Sequence, residues 1–197
     1  MAVDTTAVMM VARLMELAAR TAPKAKGVDT ILTRILTGKE IQDLAGHLTD
    51  TGERREIGFF IRDARNIAAC DAVVIIGVKG KLVAGINCGA CGYACCDELI
   101  KEGKKRKKRT TDFSGPNCSV RMTDLGIALG SAVKTAQIHN VDNRIMYSAG
   151  TAALDLCLLG KDCSVAFAIP LSATGKNIFF DREIAKIPGY GIIHSLK

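Results

Sequence analysis

Apolar positions dominate the start of the chain. From Ala7 to Arg20 nearly every residue is apolar, and the polar ones, Arg13, Glu16 and Arg20, fall three and four apart on one narrow stripe. The spacing predicts a helix buried over most of its circumference, ended by Thr21-Ala22-Pro23 and packed in the core or across a subunit interface. Val28 to Leu36 is β-branched and aliphatic and stops at Thr37-Gly38, which predicts a strand; Lys39 to Leu48 and Arg54 to Ala69 carry helical spacing. Asp71 to Val78 (DAVVIIGV) is an unbroken apolar run of central-strand length, closed by Lys79-Gly80. Further on, a short segment over Leu82 to Ile86 precedes a helix start at Asp97-Glu98-Leu99-Ile100. Val120 to His139 and Thr151 to Leu159 then read as helices, and Ser164 to Pro170 as a second buried strand. No internal repeat and no long flexible linker breaks this mixed α+β order.

With 197 residues, 48% hydrophobic and 24% charged, the chain has the makeup of a globular domain whose core does not depend on a metal. It contains no Trp and only 5% aromatic residues, which argues against a base-stacking surface and so against nucleic acid. The net charge of +7 is local: Lys101 to Arg109 holds seven cations and one Glu, contributing +6 and leaving +1 for the rest. Such a run reads as a solvated loop or as a patch that steers an acidic electron-transfer partner. Asp4 precedes the first apolar segment, no basic stretch opens the chain, and Arg13 and Glu16 interrupt the segment, so a reduced cytoplasmic setting without membrane insertion is expected.

Cysteines change this picture most. Cys88-x2-Cys91-x4-Cys96, followed after 21 residues by Cys118, supplies three thiolates from one tight loop and a fourth from a returning segment, the supply that a four-cysteine 4Fe-4S cluster requires. Gly89 and Gly92 permit the positive φ angles a chain needs to wrap around a cluster. Cys95 is a spare thiol beside the site and competes with Cys96 for the third position. Zinc also takes four thiolates, but structural zinc sites usually pair two short knuckles, and Cys118 has no nearby partner. Zinc and a set of unligated thiols are therefore the alternatives. Cys70, Cys157 and Cys163 lie in apolar contexts and read as core residues.

Other signals are weaker. Ser172-Ala-Thr-Gly-Lys176-Asn177 follows a strand like the end of a phosphate loop, but Pro170 and Asn177 stand where that loop needs Gly and a hydroxyl, leaving Lys176 as a candidate anion contact. Gly126 and Gly130 share one face of the long helix and allow close approach of another backbone or a flat ring. His47, His139 and His194 occur singly, and no nucleophile and base pair identifies catalytic residues.

The segment from Cys88 to Cys96 resembles the iron-sulphur module of electron-transfer flavoprotein complexes and of corrinoid protein subunits, which implies a 4Fe-4S cluster. Together with GPNCSVRMTDLGIALGSAVKTA (Gly115 to Ala136), VDNRIMYSAG (Val141 to Gly150) and IPLSATGKNIFFDR (Ile169 to Arg182), the chain resembles the family of uncharacterised prokaryotic proteins that contain a ferredoxin domain. Ala19-Arg-Thr-Ala-Pro23, the DAVVIIGV strand, the Thr123-Asp-Leu-Gly-Ile127 helix and the SVAFAIP strand follow the order of nitroreductases. That second resemblance implies a three-layer sandwich with helices around a central sheet, a homodimer with FMN at its interface, and an oxidoreductase activity. It makes residues 1–197 one domain, with 86–120 an inserted cluster-binding segment and the first helix part of the dimer contact. Nitroreductases usually place Ser and Asn after the proline to grip FMN; here Lys24 and Gly27 stand there, so Arg20, Lys24 and Lys26 are the residues that could hold an anionic group. A structural or sensing metal site is the non-catalytic alternative.

Overall fold

A computed structural model describes residues 5–105 and 109–180. Helix α1 (Thr5–Thr21) leads through a 3-10 turn (Ala25–Gly27) to β1 (Ile31–Leu36), α2 (Lys39–Arg54), α3 (Gly58–Ala68) and β2 (Ala72–Val78). Helices α4 (Cys96–Lys105) and α5 (Ser119–Ile138) follow, then β3 (Asp142–Asn143), α6 (Tyr147–Asp155) and β4 (Val165–Ser172). Every strand pair is antiparallel, in the order β1-β2-β4-β3. Ile31, Val78 and Val165 lie in register at one end of the sheet; Leu36, Val73 and Pro170 lie in register towards the other.

Alternation along β2 divides the interior in two. Val74, Ile76 and Val78 join a core with Val8, Met15, Leu125 and Ala132, which places α1 and α5 on one face. Val73 and Ile75 join Leu44, Leu48, Phe60, Ile67 and Ala149, which places α2, α3 and α6 on the other. All seven β2 residues are buried because both faces are covered, which is why the run is continuously apolar rather than alternating. The result is the expected α+β sandwich of three layers.

Several local expectations shift. The first strand begins at Ile31, three residues later than its composition suggests, because the loop before it is tied down by Asp29 and Arg20. Helix α6 begins at Tyr147, where Met146 bridges to Ala168; Ser148 to Ala153 are all small and all buried, so they show no polar and apolar alternation. Gly150 lets α6 lie directly on β4, since a Cβ there would meet the Ala166 carbonyl carbon at 2.6 Å and Phe167 Cα at 2.7 Å. Helix α1 buries Val8, Val11, Ala12, Met15 and Ala19 but leaves Met10, Leu14 and Leu17 exposed, so its apolar circumference exceeds what this chain covers. Cys157 is exposed, not core: it sits past the end of α6 with φ 53°. The basic run begins on α4 with Lys101, Lys104 and Lys105, whereas 106–108 and His194 lie outside the described residues.

Candidate metal centre

The cysteine segment connects β2 to α5 and carries a small core of its own. Ala84, Leu99 and Cys118 are buried together, with Val83, Cys91, Tyr93 and Val120 packed against them. Within the loop, the Gly92 amide donates to the Gly89 carbonyl at 2.9 Å, closing a turn in which Gly89 and Gly92 have φ of 72° and 86°. L-residues rarely adopt such values, so glycine is favoured at both positions. The Cys96 amide donates to Asn87 Oδ1 at 2.8 Å, pinning the start of α4 to the beginning of the loop. Cys118 is the N-cap residue of α5, and its own amide donates to the Gly80 carbonyl at 2.8 Å.

Cys88, Cys91, Cys95, Cys96 and Cys118 all line one small cavity, of about 10 Å³, between the loop and the start of α5. Cys88 is exposed, Cys91, Cys95 and Cys96 are half-buried and Cys118 is buried. Among the described residues no three His, Cys, Asp or Glu side chains gather as ligands of a single ion. The donor set nevertheless suits a cluster: soft thiolates from two segments face a shared space, and two helices begin at it. Helix N-termini stabilise nearby negative charge by about 0.3–1 kcal/mol at exposed sites. The α5 end has no acidic residue in its first turn, while Asp97 and Glu98 oppose the effect at α4. Cys95 and Cys96 both line the cavity, so lining alone does not separate them.

Three cation candidates lie in the last turn of α1 and the loop after it, and the fourth does not. Arg20 donates to Asp29 Oδ2 at 2.6 Å, to the Ile31 carbonyl at 2.9 Å and to Thr33 Oγ1 at 3.3 Å. Partial burial pushes the Asp29 carboxyl up, yet the bonds from Arg20 and the Ile31 amide together hold it below the usual 3.8. Lys24 Nζ donates to the carbonyls of Ala19, Arg20 and Ala22 at 3.1, 2.7 and 2.8 Å, and its side chain is only 5% exposed. It caps the C-terminal end of α1, using all three ammonium protons. Lys26 is exposed in the 3-10 turn. Lys176 follows β4, whose Ser172 end is opposite the Val165 end that lies in register with Ile31, so it stands away from Arg20, Lys24 and Lys26.

A buried ion pair organises that loop instead. Arg121 and Asp124 on α5 have side chains 2% and 4% exposed and pair at 2.9 Å. Asp124 Oδ1 accepts from the Ala25 amide at 2.9 Å; Arg121 donates to the carbonyls of Ala25, Val28 and Leu82 at 3.2, 3.3 and 3.1 Å. One residue pair thus links α5, the loop after α1 and the approach to the cysteine segment. An i, i+3 pair of opposite charges on the same helix face as Leu125 and Ala128 is the sequence signal for it.

Residues 114–182, which hold Cys118 but not Cys88 to Cys96, match the family described as "Uncharacterized protein containing a ferredoxin domain (DUF2148)". A relative from Archaeoglobus fulgidus, carrying the description "Uncharacterized protein", is 43% identical over 179 residues, covering 91% of this chain and 94% of the relative. The chain belongs to this ferredoxin-domain family. Among solved structures, the ferredoxin-domain protein resembles a nitroreductase from Lactococcus lactis in complex with nicotinic acid (TM-score 0.58, 9% identity, 85% of this chain and 79% of that one). It also resembles an FMN-dependent nitroreductase from Clostridium difficile R20291 (TM-score 0.51, 14% identity, 89% of this chain and 79% of that one). An NADPH:FMN oxidoreductase from Vibrio harveyi complexed with NAD+ has a TM-score of 0.51 at 10% identity, covering 85% of this chain and 60% of its own. The protein spans about three fifths of that chain and of nitroreductase A from Vibrio parahaemolyticus, 60% and 61%. These likenesses establish a nitroreductase-like fold. Among the described residues no helix is long and apolar enough to cross a membrane.

Proposed function

We propose that this protein is a 4Fe-4S protein whose cluster is held by Cys88, Cys91, Cys96 and Cys118, on a segment (86–120) inserted into a nitroreductase-like domain. The observation that carries the reading is the single cavity lined by thiols from both the loop and the α5 N-terminus. When bound, the cluster supplies one-electron transfer. The chain's own residues supply the setting: Gly89 and Gly92 turn the loop, Asn87 holds the Cys96 amide, and Gly80 holds the Cys118 amide. Lys101, Lys104 and Lys105 on α4 give an acidic redox partner in the cytoplasm a charged surface to approach. Anaerobic purification with iron and sulphide analysis tests the cluster, and zinc in place of iron would end the redox reading. Cys96→Ser is expected to remove the iron while Cys95→Ser retains it; equal loss from both would undo the assignment of the third ligand.

The fold likeness to FMN-dependent enzymes supports a second reading, an oxidoreductase in which the cluster exchanges electrons with FMN in a homodimer. The exposed Met10, Leu14 and Leu17 of α1 support a second copy there, and Gly126 and Ile127 on α5 are also open. The four candidate cations do not form one flavin site, because Lys24 is spent on α1, Arg20 is bound to Asp29 and Lys176 stands at the other end of the sheet. Flavin released on denaturation would support this second reading; its absence from protein isolated with a full iron complement would leave the cluster alone.

A further inference from the structure

A second cavity, of about 660 Å³, opens beside the end of β2 on the side of the sheet that α6 covers. That volume falls in the range of roughly 300–1,000 Å³ that organic ligands occupy. Four cations line it, Lys79, Lys81, Arg109 and Lys161, against one carboxylate, Asp162. Arg109 arrives already paired with Asp155 and bonded to the Thr111 and Asp112 carbonyls, so it forms a wall and adds little charge. Asp162 stands 3.7 Å from Lys79 and is itself largely exposed. Among the described residues no hydrogen bond or ion pair occupies the ammonium of Lys81 or Lys161.

Three lysines against one carboxylate leave two positive charges, which complements the charge of about −1.5 to −2 that a phosphate monoester carries at neutral pH. Lysine ammoniums act as point charges suited to phosphate, and solvation screens each of them less in a concave site than on open surface. Leu154 and the buried Cys163 supply an apolar lining for an organic body; burial pushes the Cys163 thiol up to about 11, which keeps it neutral there. We propose that this cavity binds a small organic phosphate monoester, its phosphate held by Lys79, Lys81 and Lys161. The site stands independently of the cluster, although Lys81 lies only a few residues before Val83 and Ala84, which line the cysteine cavity.

Titration calorimetry of the full chain at low salt, with phenyl phosphate as the probe, tests this. One saturable site is expected, with phenol not binding and inorganic phosphate about ten-fold weaker for want of the organic body. Lys81→Ala and Lys161→Ala should each weaken binding about five-fold, whereas Lys134→Ala on α5 should change it less than about two-fold. A further readout is alkylation of Cys157, which lines the same cavity and is exposed: saturating phenyl phosphate should slow it, as followed by peptide mass spectrometry. Lack of saturation, equal weakening by Lys134→Ala, or unchanged Cys157 alkylation at saturation would each overturn the proposal. Circular dichroism of each lysine variant shows whether it retains the fold.

Discussion

Replacing Asp124 with Ala removes one partner of a buried ion pair and leaves the other in place. Arg121 keeps its bonds to the Ala25, Val28 and Leu82 carbonyls, while the Ala25 amide loses its acceptor. Breaking a buried pair from one side costs about 3–5 kcal/mol, because the remaining charge has been stripped of water without full compensation. Three retained carbonyl contacts put this case near the lower end, about 3 kcal/mol. Domains are stable by only about 5–15 kcal/mol, so the loss is a large share of the total. For a chain of this size it amounts to about 10 °C in Tm. Equilibrium denaturation followed by circular dichroism measures it, and the double replacement Arg121→Met with Asp124→Leu provides the contrast. Removing both charges together should cost much less than Asp124→Ala alone, since no buried charge is then orphaned. A single-variant loss below about 1 kcal/mol, or equal losses from the single and double variants, would refute the idea that this pair anchors the loop.

Other outcomes follow from the same geometry. Gly150→Ala should destabilise the fold by about 3 kcal/mol in denaturant titration, because its Cβ would meet β4 backbone, which cannot turn aside as a side chain can. Alkylation at pH 8 should reach Cys157 well before Cys70 or Cys163, since burial pushes the latter thiols up to about 12 and about 11 while Cys157 is exposed; peptide mapping reads the order. Tyr147, raised from 10.0 to about 12 by burial and by its hydrogen bond to Asp112, should contribute stability that is full below pH 10 and fades as pH rises through about 12. Ultraviolet titration of Asp112→Asn should show the Tyr147 midpoint moving back down. On the acid side, the hydrogen bond from Arg55 holds the Asp112 carboxyl below 3.8 despite partial burial. Its contribution is therefore present above pH 3.8 and lost as pH falls through the lower folded value, and Asp112→Asn should abolish that dependence.

Periodicity reveals the parts of this chain that pack on one predictable face. The β2 run is legible because both of its faces are buried, and α5 because a 20-residue helix leaves many periodic positions. Strand β3 is two residues long and pairs with β4, so its local composition carries no pattern to read. The first turn of α6 hides for the opposite reason, since small residues bury all round where backbones approach closely, and only the part from Thr151 onward reads as helical. The spacing of the cysteines is plain in sequence, but the position of Cys118 at the α5 N-cap is a matter of backbone conformation, with φ −68° and ψ 122°. Lys24 shows how composition misleads: a lysine after a helix reads as an anion contact, yet its ammonium is taken up by backbone carbonyls at the end of α1.

The candidate centre is anchored unequally, and Gly80 is where the difference originates. Its amide donates to Ser164 Oγ at 2.9 Å and its carbonyl accepts from Cys118, so the end of β2, the start of β4 and the first turn of α5 meet at one residue. A Cβ there would press on Met122 Cε at 2.6 Å and Ser164 Oγ at 2.7 Å, which leaves no room for a side chain between the three elements. Cys118 therefore inherits the rigidity of the main core. The other proposed ligands belong to a loop held by the Asn87 contact, one glycine turn and a satellite core of three buried residues. A cluster bridging the two would fasten this loop to a domain that is already folded. Metal binding then contributes order to the loop more than stability to the sheet, unlike small domains in which binding energy and folding energy are the same quantity. Removal of the proposed cluster would accordingly loosen the 88–96 loop while leaving the three layers intact, a difference that hydrogen exchange of the loop against the sheet would read.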